Sequence, residues 1–287
     1  MIYQFIDDHH AQYPVTRLCR TLGVSPSGYY AWRRRPPSAR MLANQRLLTH
    51  MHTIHREVHE TYGSPRMHAE LEARGLSCNV KRVARLMRLH HLRARHKRKY
   101  RVTTRVNPKL PVAPNQLAQQ FQASAPNEKW VSDITYVWTR EGWLYLAVVM
   151  DLYSRRIIGW ALAQTQDTTL VVAALHMAIG RRQPPVGTMH HSDRGSQYAS
   201  LQYQAVLKSH QFTPSMSGTG NCFDNAAMES FFGTLKAERI HQQSYLTREH
   251  ARQDIVSYIE GFYNATRRHS TLGYRSPLEF EQASAMA

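Results

Sequence analysis

Residues 221–239 read NCFDNAAMESFFGTLKAER, and the rest of the chain is organised around them. Asp224 and Asn225 mark a helix start, because short polar side chains favour N-terminal caps. Met228, Phe231, Phe232 and Leu235 fall at i, i+3, i+4 and i+7, the stripe of a helix that buries one side. Glu229 sits inside this apolar run. Gly233 and Lys236 follow it by four and seven residues, so the three share a face. A carboxylate, a gap that admits close approach and a cation thus line one side of a core-packed helix. Two more acids stand upstream in strand-like settings, Asp133 in KWVSDITYVW and Asp193 in GTMHHSDRGSQY. The 35 residues 194–228 separate Asp193 from Glu229.

The 287 residues provide for about two domains. The net charge is +17, and it is unevenly placed. Residues 1–107 hold 21 Lys/Arg against 6 Asp/Glu, whereas residues 108–287 hold 16 against 14. A basic module joined to a near-neutral one points to a polyanionic partner, most simply nucleic acid. Cys19, Cys78 and Cys222 are scattered and form no CxxC pair, which argues against disulfides and a cysteine zinc site. The N-terminus lacks a signal peptide's basic start and apolar run, and no stretch approaches the ~20 apolar residues of a membrane span. The expectation is a cytoplasmic, DNA-associated protein with no membrane partner.

Residues 14–32 read as helix–turn–helix. Gly23 closes the first helix, Ser25-Pro26 starts the second, and Tyr30 is expected to pack back. Residues 39–105 form a second, basic helical unit, with Val80, Val83, Ala84 and Met87 as its core stripe. Between Lys81 and Arg105 there are eleven Lys/Arg and no acid. Such a run suits phosphate neutralisation, with Arg88, Arg93, Arg95, Lys97, Arg98 and Lys99 as backbone contacts. His55 and His59 stand at i, i+4, but no third ligand follows at a fixed spacing, so a zinc helix is not expected. Residues 106–126 carry no period and read as a linker.

From residue 127 the period changes to two. KWVSDITYVW, WLYLAVVMDLYSR and RRIIGWALAQ read as three strands. A helix from Thr168 to Arg181 follows, then a strand from Val186 to His191, a helix from Leu201 to His210, a Gly/Ser-rich loop (PSMSGTGN), the Glu229 helix and a last helix from Arg248 to Tyr263. A hairpin set followed by βα units makes an α/β fold with a mixed sheet. If the first and fourth strands pair, Asp133 and Asp193 become neighbours and Glu229 joins them from a helix. Hard divalent cations take carboxylate oxygens, and two such ions can drive phosphoryl transfer. Of the other acids, Asp151 reads as an ion pair with Arg155 and Arg156, and Asp224 as a helix cap. Arg267, Arg268 and His269 either touch DNA or cap the last helix. Trp130 and Trp138 read as core.

The blocks WVSDITYV, DLYSRRIIGW, HSDRGSQY, FDNAAMESFFGTLKAE and YNATRRHSTLGYRSP, in this order, resemble the catalytic subunit of transposases of the insertion-sequence-three family. The resemblance implies a ribonuclease H-like, retroviral-integrase-like core over residues 127–287 with a mixed five-stranded sheet flanked by helices. All-α helix–turn–helix modules at 1–38 and 39–105 precede it. It implies Asp133, Asp193 and Glu229 as the catalytic, metal-holding triad, with Lys236 as a DNA contact. It further implies two Mg²⁺ or Mn²⁺ ions, double-stranded DNA (transposon ends and target) as substrate, a homo-oligomer on DNA at the bacterial nucleoid, and an upstream-frame protein as fusion partner. The activity implied is metal-dependent strand cleavage and strand transfer. Rival readings are a DNA-binding regulator with a relic core, and a nuclease that cuts without joining.

Overall fold

The computed structural model describes residues 2–95, 113–218 and 222–285. The chain forms two compact units, Met1–His52 and Thr53–Ala287.

The first unit opens with α1 (Ile2–His9), α2 (Val15–Thr21) and α3 (Pro26–Arg34). The start of α3 follows from its sequence: Ser25 Oγ accepts from the Gly28 amide at 3.0 Å, and Pro26 takes the first position, where no amide is needed. Gly23 turns the chain with φ +69°, a left-handed value that glycine adopts without strain. Ile6, Cys19 and Tyr29 make the core. The expected inward tyrosine is therefore off by one residue: Tyr29 is buried and bonds Asp7 at 2.7 Å, while Tyr30 is exposed. α4 (Ala39–Glu57) runs from the first unit into the second.

In the second unit, α5 (Ser64–Ala73) packs on α6 (Val80–Leu89) through Met67, Leu71, Val83 and Met87. Asn79 caps α6 by accepting from the Lys81 amide at 2.7 Å. The sheet follows with β1 (Lys129–Thr139), β2 (Gly142–Asp151), β3 (Ile157–Ala163), β4 (Met189–Ser192) and β5 (Thr213–Met216), in the spatial order β3-β2-β1-β4-β5. β1, β2 and β3 form an antiparallel meander, whereas β4 and β5 run parallel to β1. This is the mixed five-stranded sheet of a ribonuclease H-like core. β5 lies inside the segment read above as loop. Four residues containing Pro214 carry no alternation signal, and partnership with β4 decides the matter.

α7 (Thr168–Arg182) and α8 (Leu201–Ser209) cover one face, where Trp130, Val149, Leu170, Leu175 and Tyr203 form the main core. Gly159 of β3 permits that approach: a Cβ there would stand 2.2 Å from the Ala174 carbonyl oxygen. α9 (Ala226–Glu238), α10 (Arg248–Ser257) and α11 (Pro277–Ala285) complete the unit, and the backbone after α10 widens into a π-helix over Tyr258–Asn264. Inside the expected linker, Leu117 is buried and its amide donates to Ser215 Oγ at 3.2 Å, which anchors the chain to the core at that point.

Candidate active site

Parallel pairing of β1 with β4 runs from Lys129↔Met189 to Val131↔His191 and then stops. Asp133 lies two positions past the last pair on β1, and Asp193 follows the last residue of β4. Both acids thus sit where the two strands part, Asp133 still paired with β2 opposite Val148 and Asp193 just off the end of β4. Asp193 is held by its turn, its Oδ1 accepting from the Gly195 amide at 2.9 Å. A Cβ at Gly195 would stand 2.9 Å from that same oxygen, so a larger residue there would push the Asp193 carboxylate aside. Beneath the acids, His190 Nε2 lies 2.9 Å from Ser132 Oγ and 3.1 Å from Tyr203 OH, while His191 bridges Ser215 and Ser217. Burial lowers the pKa of His190 to about 3 and of His191 to about 4, so both stay neutral props.

The third acid arrives on α9. Met228, Phe231, Phe232 and Leu235 are buried as the period predicts, and Asn225 Nδ2 donates to the Ser132 carbonyl at 3.3 Å, which ties the head of the helix to β1. Glu229 is exposed on the opposite side. Lys236 Nζ stands 4.9 Å from the centre of the Tyr136 ring.

These groups share one electrostatic field. Burial, then the charge of Asp193, with Glu229 adding, pushes the Asp133 carboxyl well above the usual range, and Lys236 pulls the other way. Burial raises Asp193 against the Gly195 hydrogen bond. Desolvation in the cleft raises Glu229, although the residue as a whole is exposed. Burial lowers Lys236, and Asp133 opposes that shift. Tyr198 is a member of the site that the sequence reading missed. Its hydroxyl is buried without a hydrogen-bond partner among the described residues, and Asp133 and Asp193 both act on it. Its only signal in the sequence is its place at the end of HSDRGSQY. Among the described residues, no three carboxylate, histidine or cysteine side chains are arranged to hold a single ion as they stand.

A family model described as integrase core domain matches residues 123–222, a second integrase core model matches 210–277, and an HTH-like domain matches 43–100. The chain is 44% identical over 285 residues to Transposase InsF for insertion sequence IS3A of Escherichia coli K12, covering 98% of each chain. It is 45% identical over 265 residues to the insertion element IS600 uncharacterized 31 kDa protein of Shigella sonnei, covering 92% of this chain and 97% of that one. The chain belongs to the insertion-sequence-three (IS3) family of transposases. Its fold also aligns with a chain of the simian T-cell lymphotropic virus intasome, with a TM-score of 0.48 and 17% identity over 80% of this chain and 73% of that one.

Several residues of the transposase play parts other than those expected from sequence. Asp151 is fully buried and pairs with Arg182 at 3.1 Å, not with Arg155 or Arg156; Arg182 and Arg156 both reach Glu281. The partner comes from α7, 31 residues away, which no local spacing reveals. Asp224 does not cap α9: its carboxylate accepts from the Gly218 amide, Asn115 and Gln119. Arg267 does not cap a helix: it is buried in a two-pronged pair with Glu238 at 2.6 and 2.8 Å. Arg268 binds Glu70 at 2.5 Å, and His269 is held neutral, lowered to about 2 by burial and by Arg267, Arg66 and Arg155. Trp130 is core, but Trp138 is 59% exposed, because it points to the face of β1 opposite the buried Val137 and Thr139. His59 lies beyond the end of α4, edge-on to Phe262. Of the basic candidates, Arg88 and Arg93 are exposed, and Arg95 is half-buried with Glu60 at 3.3 Å. Lys97, Arg98 and Lys99 lie outside the described residues.

Proposed function

We propose that Asp133, Asp193 and Glu229 are the catalytic acids of this transposase, acting with Mg²⁺ or Mn²⁺ on transposon ends and target DNA. One observation carries this reading: where β1 and β4 part, the charges of Asp193 and Glu229 both act on the buried Asp133 carboxyl, and each of the three acids is raised above its ordinary value. Acids held in that state favour a compensating cation, and an all-oxygen donor set suits a hard divalent ion. Asp133 and Asp193 would hold it from the sheet, and Glu229, in solvent on α9, can turn towards it. When bound, two such ions supply activation of the attacking oxygen and neutralisation of charge on the leaving one. The chain's own residues do the rest. Neutral His190 and His191 hold the strand ends that carry Asp133 and Asp193. Lys236 offers a cation beside Asp133 for a phosphate or base edge.

On the same reading, residues 1–38 and 39–105 are the DNA-binding modules, with Arg88, Arg93, Arg95, Lys97, Arg98 and Lys99 on backbone phosphates, and 127–287 is the catalytic core. A homo-oligomer assembled on DNA in the nucleoid and a fusion with an upstream-frame protein are further parts of this proposal, supported by the family resemblance. No helix among the described residues is long and apolar enough to cross a membrane. The test is a strand-transfer assay on labelled transposon ends with Asp133→Asn, Asp193→Asn and Glu229→Gln. Each variant should bind ends and neither cut nor join, and Ca²⁺ should support binding only. Joining by any one variant would remove that residue from the site, and cutting without joining by the wild type would leave a nuclease.

A further inference from the structure

A cavity of about 400 Å³ opens beside α9, on the flank next to the one that bears Glu229. Ala226, Ser230, Thr234 and Glu238, spaced at i+4, form its α9 wall. Its cationic groups come from elsewhere: Arg66 in the first turns of α5, Arg155 in the turn between β2 and β3, Arg267 after the π-helix, and Arg95, which is paired with Glu60. Glu238 is the only acid among the lining residues, and it is taken: Arg267 grips both of its oxygens and the Tyr258 hydroxyl adds a third bond at 2.7 Å. Arg155 donates to the Phe121 carbonyl at 3.3 Å, and among the described residues neither Arg66 nor Arg155 has an ion pair. His269 Nε2, also on the wall, lacks a hydrogen-bond partner there.

Partly buried guanidinium groups without a counter-charge are costly. Burial lowers the pKa of both Arg66 and Arg155, and Arg267 lowers Arg66 further, while Glu238, gripped by Arg267, opposes that shift only in part. Arg155 also holds a left-handed backbone at φ +60°, a conformation that non-glycine residues adopt at a cost. Two planar five-donor forks with their donors largely unused match the oxygens of a phosphate.

We propose that this cavity is a phosphate site, with Arg66 and Arg155 as its ligands, and that it takes a DNA backbone phosphate a few nucleotides from the bond that is cut. Arg267, locked by Glu238, forms a fixed positive wall, and neutral His269 leaves room for the anion. The cavity and Glu229 lie on neighbouring flanks of one helix, about 10 Å across, or roughly three base-pair rises of duplex. A strand presenting one phosphodiester to the acids can therefore rest another here. The position relative to the cut depends on the catalytic assignment above; the phosphate site itself does not.

The experiment uses the full chain, a duplex oligonucleotide and inorganic pyrophosphate as probes, and Ca²⁺ so that no cleavage enters the readout. In the double variant Arg66→Gln/Arg155→Gln, the slope of log affinity against log salt should flatten by about 0.9, since one neutralised phosphate is lost. Without DNA, the same variant should melt at or above the wild-type temperature, because uncompensated charge has been removed. Arg66→Lys/Arg155→Lys should keep the slope with weaker binding. A lowered melting temperature with an unchanged slope would make the arginines structural and overturn the proposal. Pyrophosphate that raises the wild-type melting temperature, with a duplex slope the variant does not alter, would give the cavity to a small anion and overturn the DNA assignment. Because cleavage is never measured, failure here leaves the catalytic triad untouched, and failure of the triad leaves the slope result standing.

Discussion

Asp133 shows most directly how position makes chemistry. It is an ordinary strand residue by sequence, yet its carboxyl is raised by burial and by two other acids. A carboxyl raised in the folded state binds protons more tightly there than in the unfolded chain. Its stabilising effect is complete below the ordinary aspartate value of 3.8 and is lost as pH rises through the folded value. Without divalent metal, Asp133→Asn should therefore melt above wild type at pH 7, with the gap closing as the pH is lowered. Excess Mg²⁺ should raise the wild-type melting temperature more than that of the variant; equal Mg²⁺ responses in a melting series would count against metal binding at Asp133. Glu229 was legible from its helical setting, but its exposure was not, because a period reveals a face and not what covers it. Glu229→Ala should change stability by no more than about 0.5 kcal/mol, as an exposed substitution does, while abolishing strand transfer. Lys236→Ala should likewise melt close to wild type yet lose accurate joining at terminal nucleotides, with Lys236→Arg recovering part of it. A lowered melting temperature with normal joining would reduce Lys236 to a surface charge.

At the scale of elements, the sequence disclosed what repeats and hid what is brief. The long helix α7 and the three meander strands carry their own periods. β5 is four residues long and takes its strand geometry from β4. α9 was legible along its apolar side, but Glu238 near its end was not singled out, because its partner Arg267 is 29 positions away. Arg267→Ala would leave Glu238 buried without its counter-charge, with only the Tyr258 hydroxyl bonded to it, at a cost of about 3–5 kcal/mol, readable as a shifted urea midpoint. Gly159→Ala would force its Cβ onto the α7 backbone, and overpacking of this kind costs about 1–3 kcal/mol. A midpoint unchanged in Gly159→Ala would mean that α7 can retreat from the sheet. The buried histidines work in the opposite direction to the acids: with folded values of about 3 and 4 against an ordinary 6.5, His190 and His191 withdraw stability as pH falls below 6.5. That acid-side loss should persist in Asp133→Asn and in the presence of Mg²⁺.

At the scale of the molecule, charge segregation announced a basic half and a neutral half, and the chain reads naturally as two parts joined by a linker. The contacts cross that division. Tyr62, just before α5, donates to the Thr266 carbonyl at 3.3 Å and accepts from the Arg268 amide at 2.8 Å, while Arg268 binds Glu70 of α5. No sequence pattern announces pairs roughly 200 positions apart. A fragment of residues 1–105 should still bind DNA with steep salt dependence, but α5 and α6 should melt below their temperature in the full chain. Equal melting by circular dichroism would show that those contacts contribute nothing. For the history of such elements the Tyr62–Arg268–Glu70 clasp has a further meaning. A recombination event that exchanged only the front of the reading frame would pair one lineage's α5 with another lineage's C-terminal segment. Residues 53–95 and 266–279 are therefore expected to descend together, and the specificity of an element for its own ends should be inherited with its tail.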